Sequence, residues 1–302
     1  MEKHWRFVCL LVFLSFVVIG CAKTPNHSGS LAIVDCVLID GTGSPPLSNA
    51  VVLIKDGIIK AVGSASETGG TEGYTRVNLH GAYLLPGFIN AHVHSLYDQG
   101  NFRRWLSAGV TTARDLGYGT VFIDGTESAR AAVNKYIGTG ADLVKIAIED
   151  DLQGRTWPMM SAGEVRAIVS QAHAANRKVS AHVSHVRNLP LAVDEGVDDI
   201  AHMVVEPLSE ALARDIAEKG IIWVPTLELW KGVSAKHSLD WDKVAIRNTG
   251  VFFKAGGRIA LGTDFNGYTI PFDSGFPITE AKLLLEAGLS PLDVIIAGTR
   301  NA

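Results

Sequence analysis

Cysteine is scarce in this chain, and the positions of the cysteines exclude two kinds of site. The 302 residues contain three cysteines, and Cys9 and Cys21 both lie within the first 21 residues. Cys36 is therefore left without a partner in the rest of the chain. A lone cysteine rules out a disulfide framework and a zinc site ligated by cysteines.

The chain also lacks an excess of positive charge, and it has no visible internal repeat. The chain carries 27 lysines and arginines against 31 aspartates and glutamates, for a net charge of −4. This balance gives no electrostatic reason to expect nucleic acid as a partner. Apolar residues make up 47% of the sequence, which indicates a sizeable buried core. The length suits one large domain or two small ones.

Residues 1–21 have the pattern of a secretory signal. A short positive segment precedes the apolar run 7–19, which is too short to span a membrane as an ordinary helix. The ending VIGC (18–21) resembles a bacterial lipobox, in which Cys21 is lipidated and becomes the mature N-terminus. An ordinary signal peptide, or an uncleaved anchor with an incidental cysteine, is the alternative. We favour an exported lipoprotein anchored on the periplasmic side, and Ala22 after the cysteine favours the outer membrane.

The rest of the chain divides into a linker and two predicted domains. Residues 22–30 are polar and turn-rich, as in a flexible linker. Residues 31–85 alternate short apolar runs with turn signals, and the Asp56-Gly57 pair between two such runs is a strong hairpin signal. This segment is predicted to form a small β domain.

Residues 86–302 alternate strand-like and helix-like stretches. Three helices are indicated by period and starting residues, at 161–175, 208–219 and 279–287, and Ser161 with Glu164 forms a capping box. Alternating strands and helices indicate a parallel α/β fold, and a barrel best explains the number of units. The apolar strand candidates are 88–91, 111–114, 143–148, 178–181, 199–201, 221–224 and 258–262.

Polar side chains recur at the ends of these predicted strands. His92 and His94 share one face of a strand, and this pair alone fits either a metal site or a polar patch at a sheet edge. Lys145 lies inside an apolar run, where an unpaired charge is costly. Five strands that each deliver such a group to one rim predict a metal centre. The strand-end residues are His92, His94, Lys145, His182, His202 and Asp264.

The motif LPGFINAHVH (85–94) resembles the first barrel strand of the amidohydrolase superfamily. Six further motifs follow in order and resemble its imidazolonepropionase-like and Xaa-Pro-dipeptidase-like branch. They are GVTTARD (109–115), ADLVKI (141–146), VSAH (179–182), DIAH (199–202), VPT (224–226) and GTD (262–264). The matches extend from about residue 31 to the C-terminus, and their order makes the resemblance specific.

The resemblance implies a (β/α)₈ TIM-like barrel, a small β-sandwich domain and a centre with two zinc ions. His92, His94 and Asp264 would bind the buried ion. His182 and His202 would bind the second ion, with Lys145 carbamylated as a bridge. The implied reaction is hydrolysis of an amide or peptide-like C–N bond in a small substrate, such as a dipeptide or cyclic amide. A metal-activated hydroxide would attack, and Asp264 would act as general base and then acid.

The chain departs from the family pattern in two places. It ends at GTRNA (298–302), where the family continues, so we expect a barrel truncated at its C-terminus and a sandwich that lacks its C-terminal strands. Residues 116–142 offer one helix, 127–137, and at most a stub strand at 120–123. The barrel is therefore expected to be incomplete around its third strand.

Two alternatives to the binuclear amidohydrolase stay open. One is a mononuclear deaminase or imidazolonepropionase-type hydrolase, in which Lys145 is not carbamylated. The other is a non-catalytic fragment or lipoprotein of the same fold. The sequence does not determine the oligomeric state or the particular substrate.

Several further polar residues have a structural and a functional interpretation. His185 and Tyr268 lie on loops that could contact substrate, although a solvated loop position is favoured for His185. Arg114 and Asp115 could form a structural ion pair at the rim. Glu206 could be a catalytic acid of the deaminase kind, but its position before Pro207 favours a helix cap or loop charge.

Overall fold

The computed structural model describes residues 29–94, 98–117, 121, 123–152, 155–156, 158–266 and 270–302. The chain forms two compact units. The described part of the smaller unit comprises residues 29–37 and 47–82, and the larger unit comprises residues 38–46 and 83–302. No helix in the described residues has the length and hydropathy needed to cross a membrane.

The smaller unit is built on one sheet in the order β3-β2-β1-β4. Its strands are β1 (Ser30–Leu38), β2 (Leu47–Lys55), β3 (Ile58–Ser64) and β4 (Thr75–Asn78). The predicted hairpin is confirmed, because Asp56 and Gly57 join β2 to β3 with φ of 53° and 76°, the signs that a type I′ turn requires. The described residues of this unit show a single sheet, where the sequence analysis expected a sandwich.

The larger unit alternates strands and helices, and the capping box predicted at Ser161 is present. The Ser161 hydroxyl accepts from Glu164 N at 3.3 Å, and the Glu164 carboxylate accepts from Ser161 N at 2.7 Å. The strands are β5 (Tyr83–Leu84), β6 (Phe88–Val93), β7 (Val110–Asp115), β8 (Leu143–Ala147), β9 (Asp151–Leu152), β10 (Arg155–Thr156), β11 (Lys178–His182), β12 (Asp199–Ala201), β13 (Ile222–Val224) and β14 (Arg258–Ile259).

Four helices of the larger unit lie close to the predicted ranges 127–137, 161–175, 208–219 and 279–287, and the other described helices were not predicted. The helices are α1 (Gln99–Ser107), α2 (Gly125–Gly138), α3 (Ala162–Ala174), α4 (Leu189–Asp194), α5 (Glu210–Glu218), α6 (Leu227–His237), α7 (Trp241–Lys254), α8 (Ile278–Glu286) and α9 (Pro291–Ala297). A 3₁₀ helix, Val186–Asn188, precedes α4. Their apolar faces bury one contiguous core against the parallel strands, with Trp223, Phe252 and Leu284 fully inaccessible to solvent.

Seven parallel strands form a series in which each strand is joined to the next by backbone hydrogen bonds. The sheet β14-β13-β12-β11-β8 is parallel throughout, and β6 pairs with β7 in parallel. The chain beyond β14 joins these two sheets, because Ala91 N donates to Leu261 O at 2.8 Å and His94 N donates to Phe265 O at 2.7 Å. The series therefore runs β8, β11, β12, β13, β14, β6, β7.

A gap lies between β7 and β8, the two ends of this series. Within the residues that the structure describes, no strand pairs β7 with β8, so the predicted barrel is not closed. A cavity of about 770 Å³ opens there, lined by residues that include Arg114, Val133, Tyr136 and Lys145. This agrees with the expectation of an incomplete barrel, while the stub strand expected at 120–123 lies partly outside the described residues.

Candidate metal centre

The residues predicted as metal ligands all lie at the carboxyl ends of parallel strands of the larger unit. Because these strands run in the same direction, their carboxyl ends meet at one rim. His92 lies within β6 and Lys145 within β8, while His182 is the last residue of β11. His94, His202 and Asp264 follow β6, β12 and β14 by a few residues.

Three of these residues converge on a single point. The Oδ1 atom of Asp264 lies 2.8 Å from Nε2 of His92 and 3.0 Å from Nε2 of His94. The two imidazole Nε2 atoms are 3.3 Å apart. All three donor atoms are within 4.8 Å of one another, close enough to share one cation. His92 is fully buried and Asp264 is 8% exposed, so this point is shielded from bulk water.

Asn90 and Thr263 hold the two strands of this cluster in register. The Asn90 side-chain amide donates to Thr263 Oγ1 at 3.0 Å, and Thr263 N donates back to Asn90 Oδ1 at 3.2 Å. Asp264 follows with a φ of 62°, a left-handed conformation that is strained for a residue with a side chain. The sequence analysis did not single out Asn90 or Thr263, although a buried asparagine inside an apolar strand is a signal that could have found them.

Electrostatics at this point favour the cation-binding forms of His92 and Asp264, but not that of His94. Burial and the nearby charge of Lys145 lower the pKa of His92 to about 3, so its ring is neutral near pH 7. Burial alone would raise the pKa of Asp264, but the His92 and His94 rings hold it well below its ordinary range. Burial would lower the pKa of His94, yet its hydrogen bond to Asp264 raises it. A neutral imidazole and an ionised carboxylate are the ligand forms that metals require.

His182 and His202 form the second group, directly beside the first. Their ring centroids are 4.4 Å apart, and the His202 ring is 4.9 Å from that of His92. Nδ1 of the buried His202 lies 2.9 Å from the Thr226 hydroxyl, so this contact does not involve Nε2 of the His202 ring. Trp223 Nε1 donates to the His202 carbonyl at 2.6 Å and fixes the backbone. The structure therefore brings all four predicted histidines to one region.

Lys145 presents a buried amine with no hydrogen-bond partner among the described residues. Burial lowers the pKa of this amine to about 8, against the opposing charges of Asp264 and Asp199. A buried cation without a partner is costly, which is why burial lowers this pKa. The stem of this side chain also lines the cavity between β7 and β8.

The ion pair suggested at the rim is different from the one expected. Arg114 pairs with Asp199, with Nη1 2.7 Å from Oδ2 and Nη2 3.0 Å from Oδ1. The Ser180 hydroxyl also donates to Asp199, at 2.6 Å. The hypothesis of an Arg114–Asp115 pair was wrong, because Arg114 pairs with Asp199 on β12, a contact 85 residues apart that sequence spacing does not reveal.

Glu149 is a buried carboxylate that the sequence analysis missed. It is 5% exposed, and its Oε2 accepts hydrogen bonds from the Ser184 hydroxyl and, at 3.2 Å, from Ser184 N. The same oxygen is 3.5 Å from Nε2 of His182. Burial alone would raise the pKa of Glu149, but hydrogen bonds from His182 and Ser184 keep it below its ordinary value. An acid directly after an apolar strand was the available signal.

The remaining loop residues have structural partners. His185 has a side chain only 13% exposed that bonds to the Glu206 carboxylate and, at 2.6 Å, to the Asp151 carbonyl, so the solvated position favoured for it was wrong. Glu206 accepts from Val186 N at 2.9 Å at the start of the 3₁₀ helix, and it does not cap the helix that follows it, because the N-cap of α5 is Ser209. Tyr268 and Cys21 lie outside the described residues.

The donor set fits a divalent cation. Three buried polar atoms in this region have no hydrogen-bond partner among the described residues, namely His92 Nδ1, Lys145 Nζ and Glu149 Oε1. Such atoms are rare in folded proteins, and a group of them beside imidazoles and a carboxylate is typical of a metal centre. His92, His94 and Asp264 would hold one ion, and His182, His202 and Lys145 are the nearest further candidates.

Comparison with known proteins gives the class to which this fold belongs. No family model matches the chain. Its structural neighbours are amidohydrolase-family proteins, as the sequence motifs indicate, and the chain has their fold. An amidohydrolase matches with a TM-score of 0.75 at 22% identity, covering 90% of this chain and 86% of its own. A Xaa-Pro dipeptidase with bound methionine matches with a TM-score of 0.69 at 19% identity, covering 90% and 87%.

Ochratoxinase from Aspergillus niger is similar in both structure and sequence. Its crystal structure matches with a TM-score of 0.76 at 22% identity, covering 90% of this chain and 83% of the ochratoxinase chain. Its sequence is 31% identical over 195 residues, which are 59% of this chain and 39% of ochratoxinase. The aligned part therefore spans well under half the length of this curated relative.

Proposed function

We propose that this chain is a metal-dependent amidohydrolase that cleaves an amide or peptide-like C–N bond in a small substrate. The observation that carries this proposal is the convergence of His92, His94 and Asp264 on one shielded point at the carboxyl ends of the strands. In (β/α)₈ folds this rim is where catalytic groups gather.

The proposed centre holds two zinc ions. His92, His94 and Asp264 would bind the first, and His182 and His202 the second. The buried amine of Lys145 supports a carbamate bridge, because the lowered pKa increases the neutral form, which adds CO₂ and releases a proton. A free ammonium could not serve, since it offers only donors. Bound ions would polarise the scissile carbonyl and lower the pKa of a water molecule.

Asp264 is the proposed proton carrier. Its carboxylate is ionised and lies between two histidines on the shielded side of the rim, where it can accept a proton from the attacking water. The same carboxyl can then deliver that proton to the leaving nitrogen, which completes hydrolysis of the C–N bond. No other described acid contacts both His92 and His94 in the hydrogen bonds and ion pairs of the rim.

A dipeptide or a small cyclic amide is the proposed substrate class. A neighbour of the same fold is a Xaa-Pro dipeptidase that holds methionine in its active site. Ochratoxinase, named for a different substrate, has the same fold. The fold therefore serves more than one substrate, and the choice for this chain depends on its own rim.

Metal analysis combined with a substrate panel tests this function. The purified chain should contain about two divalent ions and hydrolyse at least one member of a panel of dipeptides, N-acyl amino acids and cyclic amides. Removal of the ions with a chelator should abolish the activity, and added zinc should restore it. A cooperatively folded chain that binds no divalent ion and hydrolyses nothing in the panel would make it a non-catalytic protein of this fold.

A mononuclear hydrolase is the second candidate. It is supported by the fact that, among the described residues, only His92, His94 and Asp264 present three ligand atoms within reach of one ion. In that case the chain would bind about one ion, and Lys145 would be dispensable for metal binding. The experiment on Lys145 in the Discussion separates the two candidates.

We also propose that Cys21 carries a lipid that anchors the protein on the periplasmic side of the outer membrane. The lipobox-like ending of residues 18–21 supports this, together with Ala22 in the next position.

A further inference from the structure

The four histidines of the candidate centre do not all have the same ring nitrogen engaged. Nδ1 of His94 lies 2.6 Å from the Gly117 carbonyl, so it must carry the proton that is donated there. Nδ1 of His202 is bonded to the Thr226 hydroxyl. Nδ1 is engaged in both rings, which leaves Nε2 as the nitrogen for an ion.

His182 has the opposite arrangement. Its Nε2 lies 3.5 Å from Oε2 of Glu149, while its ring stacks edge-on to His202 at 4.4 Å between centroids. An ionised carboxylate can only accept hydrogen bonds, so the proton of His182 belongs on Nε2. Nδ1 is then the nitrogen left for an ion.

The position of Glu149 is itself tightly determined. Glu149 comes two residues after β8, the strand that carries Lys145. Both the hydroxyl and the backbone N–H of Ser184 donate to its Oε2. Ser184 lies two residues beyond His182, so one short stretch after β11 holds both the ring and the donors that orient its acceptor.

His185 does not compete for this carboxylate. Its Nε2 is 3.8 Å from Glu149 Oε1, beyond hydrogen-bonding distance. Both nitrogens of His185 already have partners, Nδ1 in the Glu206 carboxylate and Nε2 in the Asp151 carbonyl. Glu149 is therefore left to act on His182.

We propose that Glu149 is a positioning residue that accepts the Nε2–H of His182 and so makes Nδ1 the atom that ligates the second ion. The inference rests on the proposed function, because it requires an ion beside His182. A carboxylate that accepts the remote N–H of a metal-bound histidine fixes its tautomer and ring orientation, and loss of such a partner typically weakens metal affinity about 10- to 100-fold.

The tautomer of His182 can be read directly by NMR in the wild-type protein. In zinc-loaded protein labelled with ¹⁵N-histidine, the signals assigned by their loss in a His182→Gln variant should show a proton on Nε2 and an ion on Nδ1. A proton on Nδ1 would overturn the proposal. This measurement needs no substitution at Glu149, so it does not depend on how well a Glu149 variant folds.

Zinc affinity of Glu149 variants gives the second readout. Glu149→Ala should weaken binding of the second zinc equivalent about 10- to 100-fold and leave the first unchanged. Glu149→Gln keeps an acceptor oxygen and should restore binding to within a few-fold of wild type. Thermal unfolding checks that each variant is folded.

Asp198→Asn is the matched control. The Asp198 carboxylate also accepts from a histidine, His173, at 2.8 Å, but this pair includes an exposed ring and none of the proposed ligands. Zinc binding should be unaffected there. Two results would refute the role of Glu149 but not the binuclear function. One is wild-type affinity for the second zinc in Glu149→Ala, and the other is a loss of affinity in Glu149→Gln as large as in Glu149→Ala. A wild-type protein that binds no second ion would instead refute the binuclear function.

Discussion

Arg114 and Asp199 face each other across the inner side of the strand series and form a bidentate ion pair of 2.7 Å and 3.0 Å. The Asp199 side chain is 7% exposed, and Arg114 also donates through Nε to the Ala91 carbonyl at 2.6 Å. Arg114 therefore ties β7 to both β6 and β12. It also lines the cavity between β7 and β8, as Lys145 does.

Removal of Arg114 should be strongly destabilising. Arg114→Ala leaves the Asp199 carboxylate buried without its cation, so we expect the free energy of unfolding to fall by about 3–5 kcal/mol. Urea denaturation measures this. Lys219→Ala is the control, because Lys219 pairs with Asp194 and Asp215 at the surface, where a loss of about 0–1 kcal/mol is expected. Equal effects of the two substitutions would show that the Arg114 pair contributes no more than a surface pair.

Lys145→Ala tests the carbamate bridge. The variant should retain about one zinc ion per chain where the wild type retains about two, because the first ion keeps His92, His94 and Asp264. Metal analysis of both proteins, prepared with and without bicarbonate, measures the change. Full metal content and activity in Lys145→Ala would eliminate the bridge and favour the mononuclear candidate.

Asp264→Asn should remove proton transfer while it preserves the backbone. Asparagine tolerates the left-handed φ of 62° at this position and has nearly the same shape, so the fold should persist. We expect kcat to fall by about 10²- to 10⁴-fold, the usual contribution of a general acid–base. Steady-state kinetics on a substrate found by the panel provide the measurement. A variant with folded circular dichroism and unchanged kcat would exclude Asp264 as the proton carrier.

Glu228 and Glu280 form a buried acidic pair that should make stability depend on pH. Both are at most 4% exposed, and burial raises their pKa values to about 7 and about 8. The folded state thus holds these protons more tightly than the unfolded state. Stability should be greatest below the ordinary carboxyl pKa and should fall as the pH rises toward about 8.

Glu280→Gln should remove part of this loss, because glutamine is uncharged at every pH and can still accept from Glu228 N, now bonded at 2.7 Å. Relative to wild type, its free energy of unfolding should rise between about pH 5 and about pH 8.5 by on the order of a few kcal/mol. Glu286→Gln, on the exposed side of α8, is the control. Its free energy of unfolding relative to wild type should not change with pH. The same constant difference for Glu280→Gln would mean that Glu280 is ionised in the folded protein.

Cys21→Ala tests the lipid anchor. A protein expressed from the full sequence in a bacterial host should partition into the membrane fraction and incorporate labelled palmitate, and the variant should do neither. Cys36→Ala controls for a loss of any cysteine. If the Cys21→Ala variant incorporates as much palmitate as the wild type, the label is attached elsewhere and the basis for the anchor is removed.

Local sequence was sufficient for the seven parallel strands, for four of the described helices and for most of the candidate ligands. The Asp56-Gly57 hairpin and the Ser161 capping box follow from residues a few positions apart, and the structure contains both. His92, His94 and Asp264 could be selected because each interrupts or ends an apolar strand, and parallel strands carry such residues to one rim.

Long-range contacts could not be predicted in this way. The partner of Arg114 is Asp199 and not its neighbour Asp115, because Arg114 on β7 and Asp199 on β12 come together only when the whole unit folds. Glu149 attracted no notice in the sequence, since its significance depends on His182 and Ser184.

The sequence by itself thus determined the parallel α/β class, the strand-end residues and the chemistry that their types allow, since these depend on local periodicity and side-chain identity. Only the tertiary structure decided that β7 and β8 do not pair with each other within the described residues and that His92, His94 and Asp264 share one point. It also decided which ring nitrogens of His94 and His202 are engaged by Gly117 and Thr226. These features depend on distances between segments far apart in the chain, and such distances are set by the packing of the whole unit.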